Sequence, residues 1–129
     1  MSYSYTKKSP FLFNETLDEL RIAFAEKWFW VVSNVDIAER VRKNIDLDFG
    51  EYTNLGFCNP ILAHKYLETD INLWIFMPCI VSVYEKNNEV FISAWLPEVV
   101  IWKLVENDEL NIVHDEISDL MKSVIDSIV

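Results

Sequence analysis

Residues 73–84 and 90–96 are dense in β-branched and aromatic side chains, and the five residues between them, Glu85-Lys86-Asn87-Asn88-Glu89, include adjacent asparagines. Asparagine tolerates positive φ, so this stretch predicts a turn joining two antiparallel strands. Pro97 closes the second strand, because proline has no N–H to give to a ladder. The first strand is apolar on both of its faces. Leu73, Ile75, Met77, Val81 and Val83 fall on one, and Trp74, Phe76, Ile80 and Tyr84 on the other. A helix layer buries only one face of a sheet. The second then needs another chain, an extra helix or an apolar ligand, and a homodimer is the simplest of these.

The rest of the chain supplies that helix layer. Asn107 is a good cap, and after it Leu110, Val113, Ile117, Leu120, Met121, Val124 and Ile128 recur at helical spacing as a core-facing stripe. Upstream, residues 2–6 suit a first strand, and Thr16 with Glu19 reads as a capping box. Leu17, Leu20, Phe24 and Trp28 then predict a helix from about Glu15 to Lys27. Residues 29–35 read as a strand. Asp36 and Glu39 open a short helix with the stripe Ile37, Val41 and Ile45, ending before Asp48. Tyr52 to Cys58 is a further strand, carrying Gly56. Asn59 caps the next helix and Pro60 takes its first position, where the missing N–H costs nothing; the helix runs to Leu67 or Glu68. Neither repeats nor linkers interrupt the pattern, so residues 1–129 form a single domain. The expected class is α+β, a mostly antiparallel sheet with helices on one face.

Composition excludes several roles. Twenty-one acids against eleven bases leave a net charge of −10, which repels phosphate backbones and anionic membranes alike. The expectation is no nucleic acid and no membrane. Ile71 to Tyr84, the longest apolar run, contains Pro78 and falls short of the ~20 residues that span a bilayer. No leader segment is evident, and two cysteines read as reduced thiols in a cytoplasm rather than a disulfide scaffold. Two glycines are too few for the usual phosphate-cradling loops. Neither a G-x-S-x-G elbow nor an H-E-x-x-H pair is present. Trp28, Phe29 and Trp30 are read as packing residues.

Two positions remain that could carry chemistry. Cys58 directly precedes the helix capped by Asn59 and begun by Pro60. Unpaired amides at that helix start would favour the thiolate, lower the thiol pKa and offer a small anion site. Cys79 follows Pro78 inside the apolar strand, where the proline forces a bulge or an edge. The plain alternative is two ordinary buried thiols. No metal is expected: Cys58, Cys79, His64 and His114 match no zinc spacing, and both histidines are read as surface residues.

The order Leu-Gly-Phe-Cys-Asn-Pro-Ile-Leu-Ala-His-Lys-Tyr-Leu from Leu55, followed by Phe-Met-Pro-Cys before a hairpin, resembles the bacterial and archaeal group called domain of unknown function 302. The resemblance covers most of the chain. It implies a fold similar to a single TATA-box-binding-protein repeat and a tendency to dimerise, without implying DNA binding. Its pattern falls on Gly56, Cys58, Asn59, Pro60, Ala63, Leu67, Pro78, Cys79 and Pro97. The chain departs from it at Trp28, where the group usually has glycine, and at Ile80, where it often has asparagine; a usual glycine in the approach to Pro78 is also missing.

Three functions follow as expectations. The first is a homodimeric small-ligand-binding protein whose pocket joins Cys58, Asn59, Pro60, Pro78 and Cys79 around a small anionic or sulfur-containing ligand. The second is a thiol redox or persulfide-exchange enzyme, with Cys58 attacking and Cys79 resolving. The third is a structural or regulatory protein-interaction module. The cofactor and the ligand's identity are left open.

Overall fold

The computed structural model describes residues 2–101 and 107–129. The elements run β1 (Ser4–Lys8), α1 (Phe13–Ala25), β2 (Trp30–Asp36), α2 (Ile37–Ile45), β3 (Tyr52–Cys58), α3 (Pro60–Thr69), a 3₁₀ segment (Ile71–Phe76), β4 (Cys79–Lys86), β5 (Glu89–Trp95), α4 (Pro97–Val100) and α5 (Asp108–Ile128). The strands form one sheet in the order β1-β5-β4-β3-β2, antiparallel throughout. The chain is thus of the α+β class, as its pattern predicts.

The β4–β5 hairpin is the tightest part of that sheet. Lys86 pairs with Glu89, so the connection is only Asn87-Asn88, with φ of 55° and 64°. Two consecutive left-handed residues match the twist of the flanking strands, and asparagine adopts that conformation at low cost. On the inner face Leu55, Phe57, Val81, Val83, Ile92 and Ala94 are fully buried, against Leu20 and Phe24 of α1 and Met121 and Ile125 of α5. Asn107 accepts hydrogen bonds from the Glu109 and Leu110 amides at the start of α5, as its cap role requires.

The outer face has no helix layer of the same kind. Lys8, Phe91, Tyr84 and Tyr52 align across it in register. Their rings stack in sequence, Phe91 on Tyr84 at 5.6 Å and Tyr84 on Tyr52 at 5.3 Å between centroids. Beside them runs a polar row, where Thr6 meets Ser93 at 2.8 Å and Ser82 donates to Asn54 Oδ1 at 2.6 Å.

Several expected boundaries move. The strand read from residue 73 starts at Cys79, because Ile71–Phe76 coils into the 3₁₀ segment. Asp70 opens that segment by accepting the Asn72 N–H at 2.9 Å, and Pro78 cannot extend the ladder backwards. A short apolar run has the same composition in either state, so only the flanking cap and proline decide it. Helix α1 begins at Phe13 rather than Glu15, and Thr16 does not cap it. The buried Thr16 hydroxyl bonds instead to Leu12 O at 2.9 Å and Ser9 Oγ at 2.7 Å. Trp28 lies outside the helix stripe at φ 65°, the left-handed position after a helix end. Asp36 caps α2 as expected, accepting the Glu39 N–H at 2.9 Å. The α2 stripe, however, is not core: Ile45 is 67% exposed.

Candidate functional site

Strand β3 ends, α3 begins and β4 begins within one small region, and both cysteines belong to it. Gly56 makes the close approach possible. A Cβ built on it would stand 2.1 Å from Ser33 Oγ and 2.5 Å from Pro78 Cγ, so only glycine lets the proline ring lie against β3. Pro78, Cys58 and Cys79 then line a single crevice with Asn59, whose far wall includes Leu62 and Tyr66 of α3 and Phe76 and Met77 ahead of β4. Four of the five expected site residues are brought together here; Pro60 is not in the lining.

The crevice is apolar and narrow. The space between its walls is about 420 Å³ including the open mouth, but only about 20 Å³ is wide enough to seat a water, room for about one. Phe76, Met77, Pro78 and Trp95 belong both to this crevice and to an open apolar groove with Ile75, Ile80 and Val100 on the outer side.

The helix start differs from its expected role. Pro60 has no N–H; Ile61 and Leu62 donate to Asn59 Oδ1 at 3.1 and 3.2 Å, and Ala63 donates to Asn59 O at 2.9 Å. The first four positions of α3 therefore keep no free amide for a sulfur or an anion. With that stabilisation absent, burial governs, and it pushes the Cys58 thiol up rather than down. The Cys79 thiol is pushed up to about 12, chiefly by burial and further by the neighbouring Cys58. Both thiols are neutral near pH 7.

Both cysteines are free, and the register explains why they do not pair. Cys79 lies opposite Phe57, and Cys58 opposite Trp30. Paired residues share a face and successive residues alternate, so the Cβ atoms of Cys58 and Cys79 leave the ladder on opposite sides. A disulfide needs Cβ atoms ~3.5–4.5 Å apart, which this offset opposes.

Behind the crevice sits a polar pair that sequence reasoning missed. The Tyr66 hydroxyl and His114 Nδ1 lie 2.5 Å apart in the core. His114 is fully buried, not solvated as expected, and its Nε2 has no hydrogen-bond partner. Burial lowers the imidazole pKa, against a smaller opposing effect from Asp115. The Tyr66 phenol is raised by burial first and by Cys79 second. The signal for Tyr66 was its place one turn after Leu62 on the inner face of α3. His114 gave none, because its neighbours Asp115 and Glu116 are polar. His64 is exposed, as expected, and its Nδ1 meets Glu68 Oε1 at 2.9 Å. Among the described residues no three His, Cys, Asp or Glu side chains gather as metal ligands, and no helix is long and apolar enough to cross a membrane.

The sequence profile of the family described as "Domain of unknown function DUF302" matches residues 5–128. A crystal structure described as "uncharacterized conserved protein DUF302 from Bacillus stearothermophilus" superposes with a TM-score of 0.93, at 22% identity, covering 100% of both chains. At that identity the likeness speaks for the fold. No curated protein matches the chain.

Proposed function

Because the chain belongs to the family described as domain of unknown function DUF302, we propose its function from the crevice itself: a homodimeric small-ligand-binding protein whose ligand enters between Cys58, Pro78 and Cys79. The observation that carries this reading is one apolar crevice whose lining includes both free cysteines and Tyr66. The ligand it suits is small and apolar or sulfur-containing. An anion is not favoured, since the α3 amides are taken by Asn59 and the net charge is −10. Thiol exchange is the weaker reading, because an exchange enzyme needs a thiolate and two sulfurs able to bond directly. Free thiols fit a reducing compartment, and we assign the protein to the cytoplasm. The dimer would cover the outer face of the sheet.

Ethanethiol titrated into isotope-labelled protein tests the crevice. Amide resonances of the lining residues should shift and saturate, and iodoacetamide-treated Cys58 or the plugging variant Ala63→Leu should abolish the effect. Shifts scattered over the surface, or unchanged affinity after both treatments, would end the proposal.

A further inference from the structure

Phe76, Met77, Pro78 and Trp95 line both the crevice and the open groove, so the two spaces adjoin along these side chains. Resting on the ligand-site reading above, we propose that the occupant is an unbranched, medium-length alkyl compound with an uncharged head. Its methyl end enters the crevice and its remaining methylenes lie along the groove. The two spaces differ in width as such a molecule requires. About 20 Å³ of the crevice is wide enough for a water-sized group, against about 320 Å³ of the groove. The narrow part admits the end of a single chain, and the wider part takes its length. A ring or a branched carbon skeleton meets the crevice walls.

The chemistry of the walls selects the same class. Every side chain lining the groove is apolar or aromatic, and neither space is lined by lysine, arginine, aspartate or glutamate. A charged head drawn inside would lose its water without gaining a counter-ion, so the head stays at the open end. The net charge of −10 further disfavours a carboxylate or phosphate there. Strand register fixes where the groove lies. Ile80 is opposite Gly56 on β3, and Trp95 is opposite Ser4 on β1. They stand two residues along β4 and β5 from Ser82 and Ser93, hence on the same outer face. Ser93 and Ser82 are hydrogen-bonded to Thr6 and Asn54, and this polar row separates the groove from the aromatic row of Tyr52, Tyr84 and Phe91. The narrow crevice beside the groove is filled by a chain end and not by a flat protein surface, which favours an alkyl ligand over a second copy at this place.

The test is a series of 1-alkanols titrated into isotope-labelled protein, with amide shifts of the crevice and groove residues followed together. A methylene moved fully from water into an apolar site gains ~4-fold in affinity, and one half-buried in an open groove ~2-fold. The added methylenes should therefore make 1-octanol bind at least ~10-fold tighter than 1-butanol, and cyclooctanol should not show that gain. Ile80→Asn should cut the ratio below ~3-fold while ethanethiol still shifts the crevice resonances. Ile75→Asn, at a position 79% exposed, gives the same reading should Ile80→Asn not fold. Equal affinity along the series, an equal gain for cyclooctanol, or a ratio unchanged in both variants would overturn the proposal. So would an Ile80→Asn protein that self-associates less and keeps the alkanol ratio, a result that gives the groove to a second copy. Ethanethiol separates the two ideas. If it saturates the crevice resonances while chain length has no effect, the alkyl chain alone is refuted; if it shifts none of them, the ligand-site reading falls and this inference with it.

Discussion

His114 has an imidazole that is fully buried beside the Tyr66 hydroxyl, with Nε2 unpartnered. Burial lowers its pKa in the folded protein, while the unfolded chain keeps a value near ~6.5. Below that pH the unfolded state binds a proton that the folded state refuses, so stability rises with pH across the window beneath ~6.5 and is lost on acidification. Urea midpoints at about pH 7.5 and about pH 5.5 should therefore differ, and His114→Gln should shrink the difference. An unchanged difference in the variant would place the acid sensitivity elsewhere. At this scale the sequence was legible where local chemistry is obligatory. Asn59, Pro78 and the cysteines were identifiable because caps and prolines punctuate the chain. It was illegible where burial decides, as at His114 and at the Cys58 thiol. Trp28 combines both: glycine's usual place was readable, and at φ 65° the tryptophan holds the conformation that makes glycine usual there.

The Asn87-Asn88 turn and the caps Asp36, Asn59 and Asn107 were readable because each satisfies a local hydrogen-bonding need. The 3₁₀ segment was not, since Ile71–Phe76 offers an apolar run without a period that separates strand from tight helix. Helix α3 offers a direct test of how its cap governs the thiol. Asn59→Ala leaves the Ile61 and Leu62 amides without their acceptor and should cost about 1 kcal/mol in urea unfolding. The same change frees two N–H groups close to Cys58, so its iodoacetamide reactivity should rise at fixed pH. Lost stability with unaltered reactivity would show that those amides do not reach the sulfur.

At the scale of the whole molecule, the one-sided sheet leaves a clear asymmetry. The inner face is sealed by α1 and α5, whereas Tyr52, Tyr84 and Phe91 form an aromatic row across the outer face. Ile45 at the end of α2, with Leu47 and Phe49 in the connection to β3, add exposure of 67%, 53% and 43%, and Phe49 lies 6.2 Å from Tyr52 between ring centroids. Apolar residues gathered in this way are costly to leave in water. An α+β sheet with one helix layer was legible from periodicity alone; which face of the sheet is left without helices was not, since that depends on strand order. A two-fold dimer would set the aromatic row against its own copy, each surface meeting its equivalent. Tyr84 stands at the middle of the row and outside the buried core, so Tyr84→Lys should leave the fold intact while placing two ammonium groups near each other at the interface. Sedimentation equilibrium should show a dimer for the wild type at micromolar concentration and a dissociation constant at least ~10-fold weaker for the variant. A wild type that sediments as a monomer throughout that range, or a variant that dimerises as well as its parent, would remove the outer face from the assembly.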